Sequence, residues 1–396
     1  MSIKPNGWPV HEEDELQAVN KVLASGRTNY WTGQEGREFE KEFAAFVGTK
    51  YAVALMNGTV ALEAALYALD IGPGDEVITA CRTFIASASC AVMRGATPVM
   101  ADVDPQTQNI SAETIEPCIT PRTKAIVVVH LAGWPADMEA IMALAKKHQL
   151  KVVEDCAQAH GAMIGDRKVG AWGDVAAFSF CQDKIMTTGG EGGMVTTNNK
   201  TLWEKIWSLK DHGKNYEKVY QQEHPPGFRW LHDSFGTNWR MLEVQAAIGR
   251  LQLKKLPQWL EIRRRNAEIL TKNLMPHPAL RIPIPPANLK HAYYKYYVFV
   301  LPEALKPGWN RDRIMQELSA KGLPCFSGSC SEIYLEQAFV TNGLQPTLPK
   351  PIAKMLGETS LMFMVHPTLT EKDMQAVADG FLKILDEATM TETVSE

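Results

Sequence analysis

The sequence of 396 residues has little excess charge of either sign. Its 41 lysines and arginines nearly balance its 45 aspartates and glutamates, and the formal net charge at pH 7 is −4. Proteins that bind nucleic acid usually carry a basic patch or stripe. The one basic run, Arg263-Arg264-Arg265, lies in a helical pattern and is better explained as a solvated helix face. The composition therefore argues against a nucleic-acid partner.

Long apolar runs are also missing. The stretch "AIVVVHLAGW" is half as long as the roughly 20 residues that a membrane-spanning helix needs. The first residues, "MSIKPNGWPV", lack the basic start and apolar core of a secretory signal. We therefore expect no membrane partner and a cytoplasmic location.

Cysteines are few, odd in number and scattered, and the sequence contains no Cys-x-x-Cys pair. This pattern predicts reduced thiols in cores or loops and no structural zinc or other metal site. The seven are Cys81, Cys90, Cys118, Cys156, Cys181, Cys325 and Cys330.

Strand-like and helix-like segments alternate between residues 50 and 210, which is typical of an α/β fold with helices on both faces of a mainly parallel sheet. A long helical pattern follows residue 238, and we expect Pro257 to kink or break it. The proline-rich "RIPIPPANLKH" then reads as a linker. These features predict a large domain, 1–255, and a smaller C-terminal α/β domain, 256–396, with the long helix and linker at the junction.

The strand ends are the places to look for function, because ligands of open α/β sheets bind outside the carboxyl ends of the strands. Lys184 follows the apolar strand "DVAAFSF" and precedes "GGEGG". It is either a solvated lysine or a desolvated amine that forms a Schiff base with a carbonyl. The glycines fit a close backbone approach, and they equally fit an ordinary β-turn.

Other strand ends carry groups that would complement such an amine. Asp155 could pair with a pyridinium nitrogen or could simply cap a helix or turn. Gly58 and Thr59 begin a helix whose first amides could bind phosphate, although capping explains them as well. Ser179 could add a hydroxyl to the phosphate, and Phe84 could stack on a ring or lie in the core. An amine, an acid, a phosphate site and an aromatic ring together suit pyridoxal phosphate (PLP).

The order of these residues resembles the sugar aminotransferases of the DegT/DnrJ/StrS group. The motifs that carry the resemblance include "NGTVALEAAL", "VVEDCAQAHGA", "GDVAAFSFCQDKIMTTGGEGGMV" and "TNWRMLEVQAAIGRLQLKKL". The resemblance covers roughly residues 25–260. It implies the aspartate-aminotransferase-like fold of PLP enzymes (fold type I), with a mainly parallel seven-stranded sheet in the large domain and a smaller C-terminal domain.

The resemblance also implies an activity and a set of cofactor contacts. The enzyme would move an amino group from glutamate, or glutamine, to a keto-sugar, most often a nucleotide-linked 3- or 4-keto sugar, with the cofactor alternating between PLP and pyridoxamine phosphate (PMP). Lys184 would form the Schiff base, and Asp155 would meet the pyridine nitrogen. Gln158 would contact the ring hydroxyl, and Phe84 would stack on the ring. The phosphate would be bound by Gly58, Thr59 and Ser179, together with Asn238 from the second subunit of a homodimer.

The substrate side is less determined. This chain has Cys181-Gln182-Asp183 where the family usually has a His-Pro-type pair, so we expect Cys181 and Gln182 to line a pocket whose acceptor specificity differs. Tyr30 and Trp31 could stack on a base or sugar, or could anchor their loop. His160 could line the pocket wall, as could His130, although a hydrogen-bonded structural role suits either.

The sequence leaves one alternative for the acceptor and two for the class of protein. The acceptor could be a cyclitol ketone or an aminobenzoate-type precursor. A nicotinamide-dependent oxidoreductase would need Gly-x-Gly-x-x-Gly after an early strand, and "MNGTVAL" offers a single glycine. A catalytically silent regulatory module is disfavoured because Lys184 is present.

Overall fold

The computed structural model describes residues 7–223, 226–227 and 229–389. Its strands are β1 Tyr51–Leu55, β2 Glu76–Ala80, β3 Thr97–Ala101, β4 Thr123–Val129, β5 Lys151–Asp155, β6 Met163–Ile164, β7 Arg167–Lys168, β8 Val175–Ser179, β9 Gly193–Thr197, β10 Leu280–Arg281, β11 Leu289–Lys290, β12 Tyr296–Val300 and β13 Ser360–Phe363.

The α-helices of the described chain are α1 Glu13–Ser25, α2 Glu35–Val47, α3 Gly58–Ala68, α4 Ala86–Met93, α5 Ala112–Ile115, α6 Met138–His148, α7 Lys200–Lys210, α8 Tyr216–Tyr220, α9 Glu243–Leu274, α10 Arg311–Ala320, α11 Gln337–Thr341, α12 Pro351–Thr359 and α13 Glu371–Ala388. None of the helices described combines the length and the hydropathy needed to cross a bilayer.

A seven-stranded sheet forms the centre of the molecule, in the order β3-β2-β4-β5-β8-β9-β1. Six strands run in the same direction, and β9 alone runs against them between β8 and β1. Strand β8 is buried along its whole length. Its Ala176 and Phe178 pack in the cluster that includes α2 and α9, while Val175 and Ala177 pack with α3 and α7. Because both faces are covered, these strands are continuously apolar, and the predicted mainly parallel α/β fold is confirmed.

The C-terminal part builds a second, smaller core. Strands β10, β12 and β13 form a three-stranded antiparallel sheet, against which α10 and α13 pack. The proline-rich segment contributes β10 to this sheet and β11 to a second small sheet with β6 and β7. The segment predicted as a linker therefore pairs with both parts of the chain.

Helix α9 crosses the predicted domain junction without interruption. It runs from Glu243 to Leu274 and contains Pro257, so of the two outcomes predicted at this proline, a kink or a break, the break is wrong. A proline inside a helix removes one backbone hydrogen bond. The buried Leu256 and Leu260 pack on either side of it in the same cluster, and this packing holds the helix together. The division at 255/256 thus falls within one helix, and the domain boundary stays a prediction.

One edge of the central sheet collects the loops that matter for function. Because β1, β2, β4, β5 and β8 run in the same direction, their carboxyl ends all lie at this edge. The loops that follow them begin at Met56, Cys81, His130, Cys156 and Phe180.

Candidate active site

Lys184 lies in the loop after β8, and its backbone is fixed on both sides. Its amide donates to the Cys181 carbonyl at 3.1 Å, and the indole of Trp8 donates to the Lys184 carbonyl at 2.8 Å. The amine Nζ lies 3.5 Å from the Tyr294 hydroxyl and 3.9 Å from Asp183 Oδ1. A half-buried amine is thereby held at the carboxyl edge of the sheet.

Asp155 ends the neighbouring strand β5 and is buried. Its Oδ2 accepts from the Ser87 hydroxyl at 2.7 Å, and its Oδ1 accepts from the Ala157 amide at 3.1 Å. Burial raises the pKa of Asp155, while these hydrogen bonds and the charge of Lys184 partly oppose the rise. A buried carboxylate without a full counter-charge favours a cationic ligand, and a protonated pyridine nitrogen is such a ligand.

A narrow approach between α3 and β8 forms a candidate phosphate site. A Cβ built on Gly58 would lie 2.6 Å from the Cβ of Ser179, so only glycine allows this contact. Asn57 caps the helix by accepting from the Val60 amide at 3.0 Å. The Ser179 Oγ accepts from the Cys181 amide at 3.3 Å and keeps its own hydrogen to donate. An anion could therefore be bound by the first-turn amides of α3, by the exposed Thr59 and by the Ser179 hydroxyl.

The ring-contacting residues of the prediction also lie at this edge. Phe84 follows β2 and is 65% exposed, which argues against the core alternative. Gln158 follows β5 and accepts from the Ala132 amide at 2.8 Å through Oε1, which leaves its amide nitrogen as a donor. The acid, the anion cradle, the amine and an exposed aromatic ring together fit PLP.

We predict that Gly58→Ala weakens the binding of PLP at least about tenfold. The added methyl group would push the start of α3 away from Ser179 and enlarge the cradle. Titration of the cofactor-free protein with PLP, followed by absorbance, measures the loss. Gly72→Ala is the matched control, because a Cβ there meets nothing closer than a carbonyl at 3.9 Å. A Gly58→Ala protein with unchanged affinity would contradict the cradle.

The predicted substrate-side residues lie in different surroundings. Cys181 is half-buried, with its sulfur 3.8 Å from Glu191 Oε1, and Gln182 is exposed beside it. His160 is fully buried between the rings of Phe178 and Phe180. Burial lowers the pKa of His160 to about 3, so the imidazole is uncharged. These contacts favour a structural His160 over a pocket wall.

Tyr30 and Trp31 belong to an aromatic cluster that reaches the surface at Tyr220, which is 45% exposed. Tyr30 is buried, donates to Glu40 Oε2 at 3.1 Å, and has the ammonium of Lys210 at 3.4 Å from its ring centroid. Trp31 is half-buried and stacks on Tyr220. The interpretation as loop anchors is therefore the one that these contacts favour.

His130 has a structural role in the described chain. Its Nδ1 accepts from the Ala136 amide at 3.0 Å, so Nε2 carries the proton and donates to Glu154 at 3.1 Å. Glu154 also accepts from the amides of Gly170, Trp172 and Gly173. This buried network joins the loops around Asp155.

Asn238 lies in an extended segment next to β1. The segment pairs with Asp211, and the carbonyl of Trp239 accepts from the Met56 amide at 3.0 Å, just before the phosphate site. The Asn238 residue is exposed.

Three groups near Lys184 and Asp155 escaped the sequence prediction. Ser87 binds Asp155 from the first turn of α4, and its hydroxyl also contacts Thr83 at 2.9 Å. Tyr294 donates to Asp183 and contacts Lys184. Lys295 is buried next to Tyr294. The sequence did contain a signal for Lys295, because a lysine inside the aromatic run "YYKYYVFVL" is out of place in a strand pattern.

Comparisons with known proteins find a sugar-nucleotide enzyme and aminotransferases among the relatives of this chain. The sequence is 39% identical to GDP-perosamine synthase of Caulobacter vibrioides over 90% of this chain and 92% of that protein. It is 37% identical to the UDP-N-acetyl-3-dehydro-alpha-D-glucosamine 3-aminotransferase of Acidithiobacillus ferrooxidans over 92% of both. The structure matches an aminotransferase from Psychrobacter cryohalolentis with a TM-score of 0.94 and 55% identity, over 96% and 99% of the two chains.

Structural neighbours of the chain are PLP-dependent aminotransferases, and the expected fold class is confirmed. The sequence model described as the DegT/DnrJ/EryC1/StrS aminotransferase family matches residues 9–382. The chain belongs to this family of aminotransferases.

Proposed function

We propose that this aminotransferase uses PLP to move an amino group from glutamate, or glutamine, to a nucleotide-linked 3- or 4-keto sugar. The observation that carries the cofactor part is the meeting of Lys184, the buried Asp155 and the Gly58–Ser179 cradle at one sheet edge. The acceptor part is supported by the two sequence relatives, whose names specify a UDP-linked 3-dehydro sugar and a GDP-linked amino sugar.

Each residue of the site would have its own role in the proposed reaction. Bound PLP would supply an electron sink for the carbon that carries the amino group. Asp155 would hold the proton on the pyridine nitrogen, and Gly58, Thr59 and Ser179 would hold the phosphate. Lys184 Nζ would remove the proton from the donor's α carbon, a role that typically contributes 10²–10⁴-fold to the rate. The nearby Tyr294 hydroxyl would orient this amine.

A homodimer completes the proposal. Asn238 is exposed beside the end of β1, and the same loop displays Phe235, which is 100% exposed, and Trp230, which is 76% exposed. Two large exposed apolar side chains on one loop are suited to contact with a partner. We propose that a second copy of the chain covers it and supplies Asn238 to the partner's phosphate site. We further propose a cytoplasmic location and no nucleic-acid or membrane partner.

A panel of acceptors tests the proposed substrate class. The protein is first loaded with PMP and then mixed with UDP- and GDP-linked 3- and 4-keto sugars, a cyclitol ketone and an aminobenzoate-type precursor, while the return of PLP absorbance is followed. We expect at least one nucleotide-linked sugar to react about 100-fold or more faster than the nucleotide-free acceptors. Binding energy from the nucleotide offsets the cost of orienting the reacting carbon in the transition state. A reaction with the cyclitol or the aminobenzoate precursor alone would contradict the sugar assignment.

A further inference from the structure

Lys295 is a buried ammonium whose hydrogen-bonding capacity is largely unused. It directly precedes β12 and is 8% exposed. The one hydrogen-bond acceptor found for it among the described residues is the thioether sulfur of Met364, at 3.3 Å. A thioether is a weak acceptor, and an ammonium has three donors. Burying such a group without good acceptors is costly, so the position is suited to an oxyanion ligand.

Lys295 shares its surroundings with Lys184. The two Nζ atoms lie 4.6 and 4.8 Å from the centroid of the same ring, that of Tyr294. They also lie 3.8 and 3.9 Å from the two carboxylate oxygens of Asp183. The second amine therefore faces the same space as the amine that would move the substrate proton.

The charged groups around Lys295 leave a positive excess. Arg263 from α9 is buried, so the predicted solvated helix face is wrong for this residue, and it donates to the carbonyls of Tyr293 and Tyr294, which do not neutralise it. His366, from the segment after β13, adds no charge, since burial lowers its pKa to about 3. Asp183 is thus the carboxylate that faces both lysines. Its one negative charge is outnumbered by the positive charges of Lys184, Lys295 and Arg263.

The titration of Lys295 itself is consistent with an anion site. Burial lowers the pKa of Lys295 to about 8, Asp183 opposes this, and the charges of Arg263 and Lys184 add to it. The Tyr294 hydroxyl stays neutral because burial and Asp183 raise its pKa well above the ordinary value. An anion that approached Lys295 would stabilise the charged form of this amine.

We propose that Lys295 binds the α-carboxylate of the amino donor, and this assignment rests on the proposed function. The α-carboxylate is bonded to the carbon whose proton Lys184 would remove, so it must lie within a few ångströms of Lys184 Nζ. Lys295 is the cation that shares Tyr294 and Asp183 with Lys184. The side chain of Asp183 is 54% exposed, which allows it to turn toward solvent when the donor carboxylate enters.

Two ligands separate this role from a general structural one. 2-Methylglutamate keeps both carboxylates of glutamate but lacks the hydrogen on the α carbon, and 4-aminobutyrate lacks the α-carboxylate. Calorimetric titration of the PLP-loaded enzyme measures binding of each. We expect Lys295→Met to weaken the binding of 2-methylglutamate about 10- to 100-fold, because a charge-assisted hydrogen bond is lost. Binding of 4-aminobutyrate should stay within about twofold.

Matched variants sharpen the test. Lys295→Arg, which keeps the charge, should recover most of the affinity. Lys255→Met, which removes a lysine of α9 that pairs with Asp14, should change the affinity for neither ligand. Asp183→Asn removes the competing carboxylate and should tighten 2-methylglutamate. In the parent enzyme, the affinity for 2-methylglutamate relative to that for 4-aminobutyrate should fall as pH rises past about 8, because Lys295 then loses its charge. In Lys295→Arg this ratio should not change with pH.

The outcomes distinguish this inference from the proposed function. If the parent enzyme binds 2-methylglutamate but Lys295→Met weakens both ligands equally, weakens neither, or raises only the KM for the keto-sugar, the α-carboxylate assignment is overturned while the aminotransferase proposal stands. If the parent PLP-loaded enzyme binds no amino acid and forms no 2-oxo acid from glutamate or glutamine, the proposed function itself fails.

Discussion

Lys184→Ala is expected to lower kcat by about 10⁴-fold or more. The variant loses the group that would anchor PLP covalently and also the base that would move the α proton, and general base catalysis alone is typically worth 10²–10⁴-fold. Lys295 also contacts Asp183 and Tyr294, but it is expected to bind the donor's carboxylate and so to leave the place of the base unfilled. The fold should survive, because both hydrogen bonds that fix residue 184 involve its backbone.

Borohydride reduction gives a readout that does not depend on turnover. The parent protein with PLP should retain the cofactor covalently after reduction, and peptide mass spectrometry should find it on Lys184. Lys184→Ala should retain none, while Lys205→Ala, which removes a half-buried lysine paired with Asp70, should behave like the parent. A Lys184→Ala protein that still carried reduced cofactor on another lysine would refute the assignment.

The fold was largely predictable because its strands are buried on both faces. Segments such as "KAIVVVHL" and "DVAAFSF" are continuously apolar, and each became a central strand. The helix did not break at Pro257, because packing of Leu256 and Leu260 outweighed the local penalty of a proline. The pairing of the proline-rich segment with β6 depends on tertiary contacts, which no local pattern encodes.

The position of a candidate site residue was predictable where the residue follows the end of a strand. Lys184 and Asp155 each follow an apolar run, so the parallel sheet places them at one edge. Ser87 and Tyr294 join them from a helix and from the C-terminal part, and nothing in the sequence next to them indicates this. Tyr30 shows the same limit, because nothing in the sequence next to it indicates that its hydroxyl donates to Glu40, ten residues away.

Asp155→Asn is expected to lower kcat by about 10²- to 10⁴-fold while leaving the fold intact. Asparagine has nearly the same shape, can accept from the Ala157 amide, and can donate to the Ser87 hydroxyl, which is able to reverse its role. It cannot supply the negative charge that would keep the pyridine nitrogen protonated. Asp166→Asn, at an exposed position in the turn between β6 and β7, is the control and should retain full activity.

The same substitution should have the opposite effect on stability of the cofactor-free protein. Burial raises the pKa of Asp155 above its value in the unfolded chain. A carboxyl group with a raised folded-state pKa contributes stability at low pH that is lost as pH rises through that pKa. At neutral pH the parent therefore bears the cost of a buried carboxylate, and Asp155→Asn removes this cost. Thermal unfolding at pH 7 without PLP should show a Tm for the variant that is equal to or higher than that of the parent, and the difference should shrink toward acidic pH.

Adding PLP should reverse the order of the two Tm values, because only the parent has a carboxylate for the ring nitrogen to neutralise. A variant that is less stable both with and without PLP would show instead that Asp155 is a structural residue.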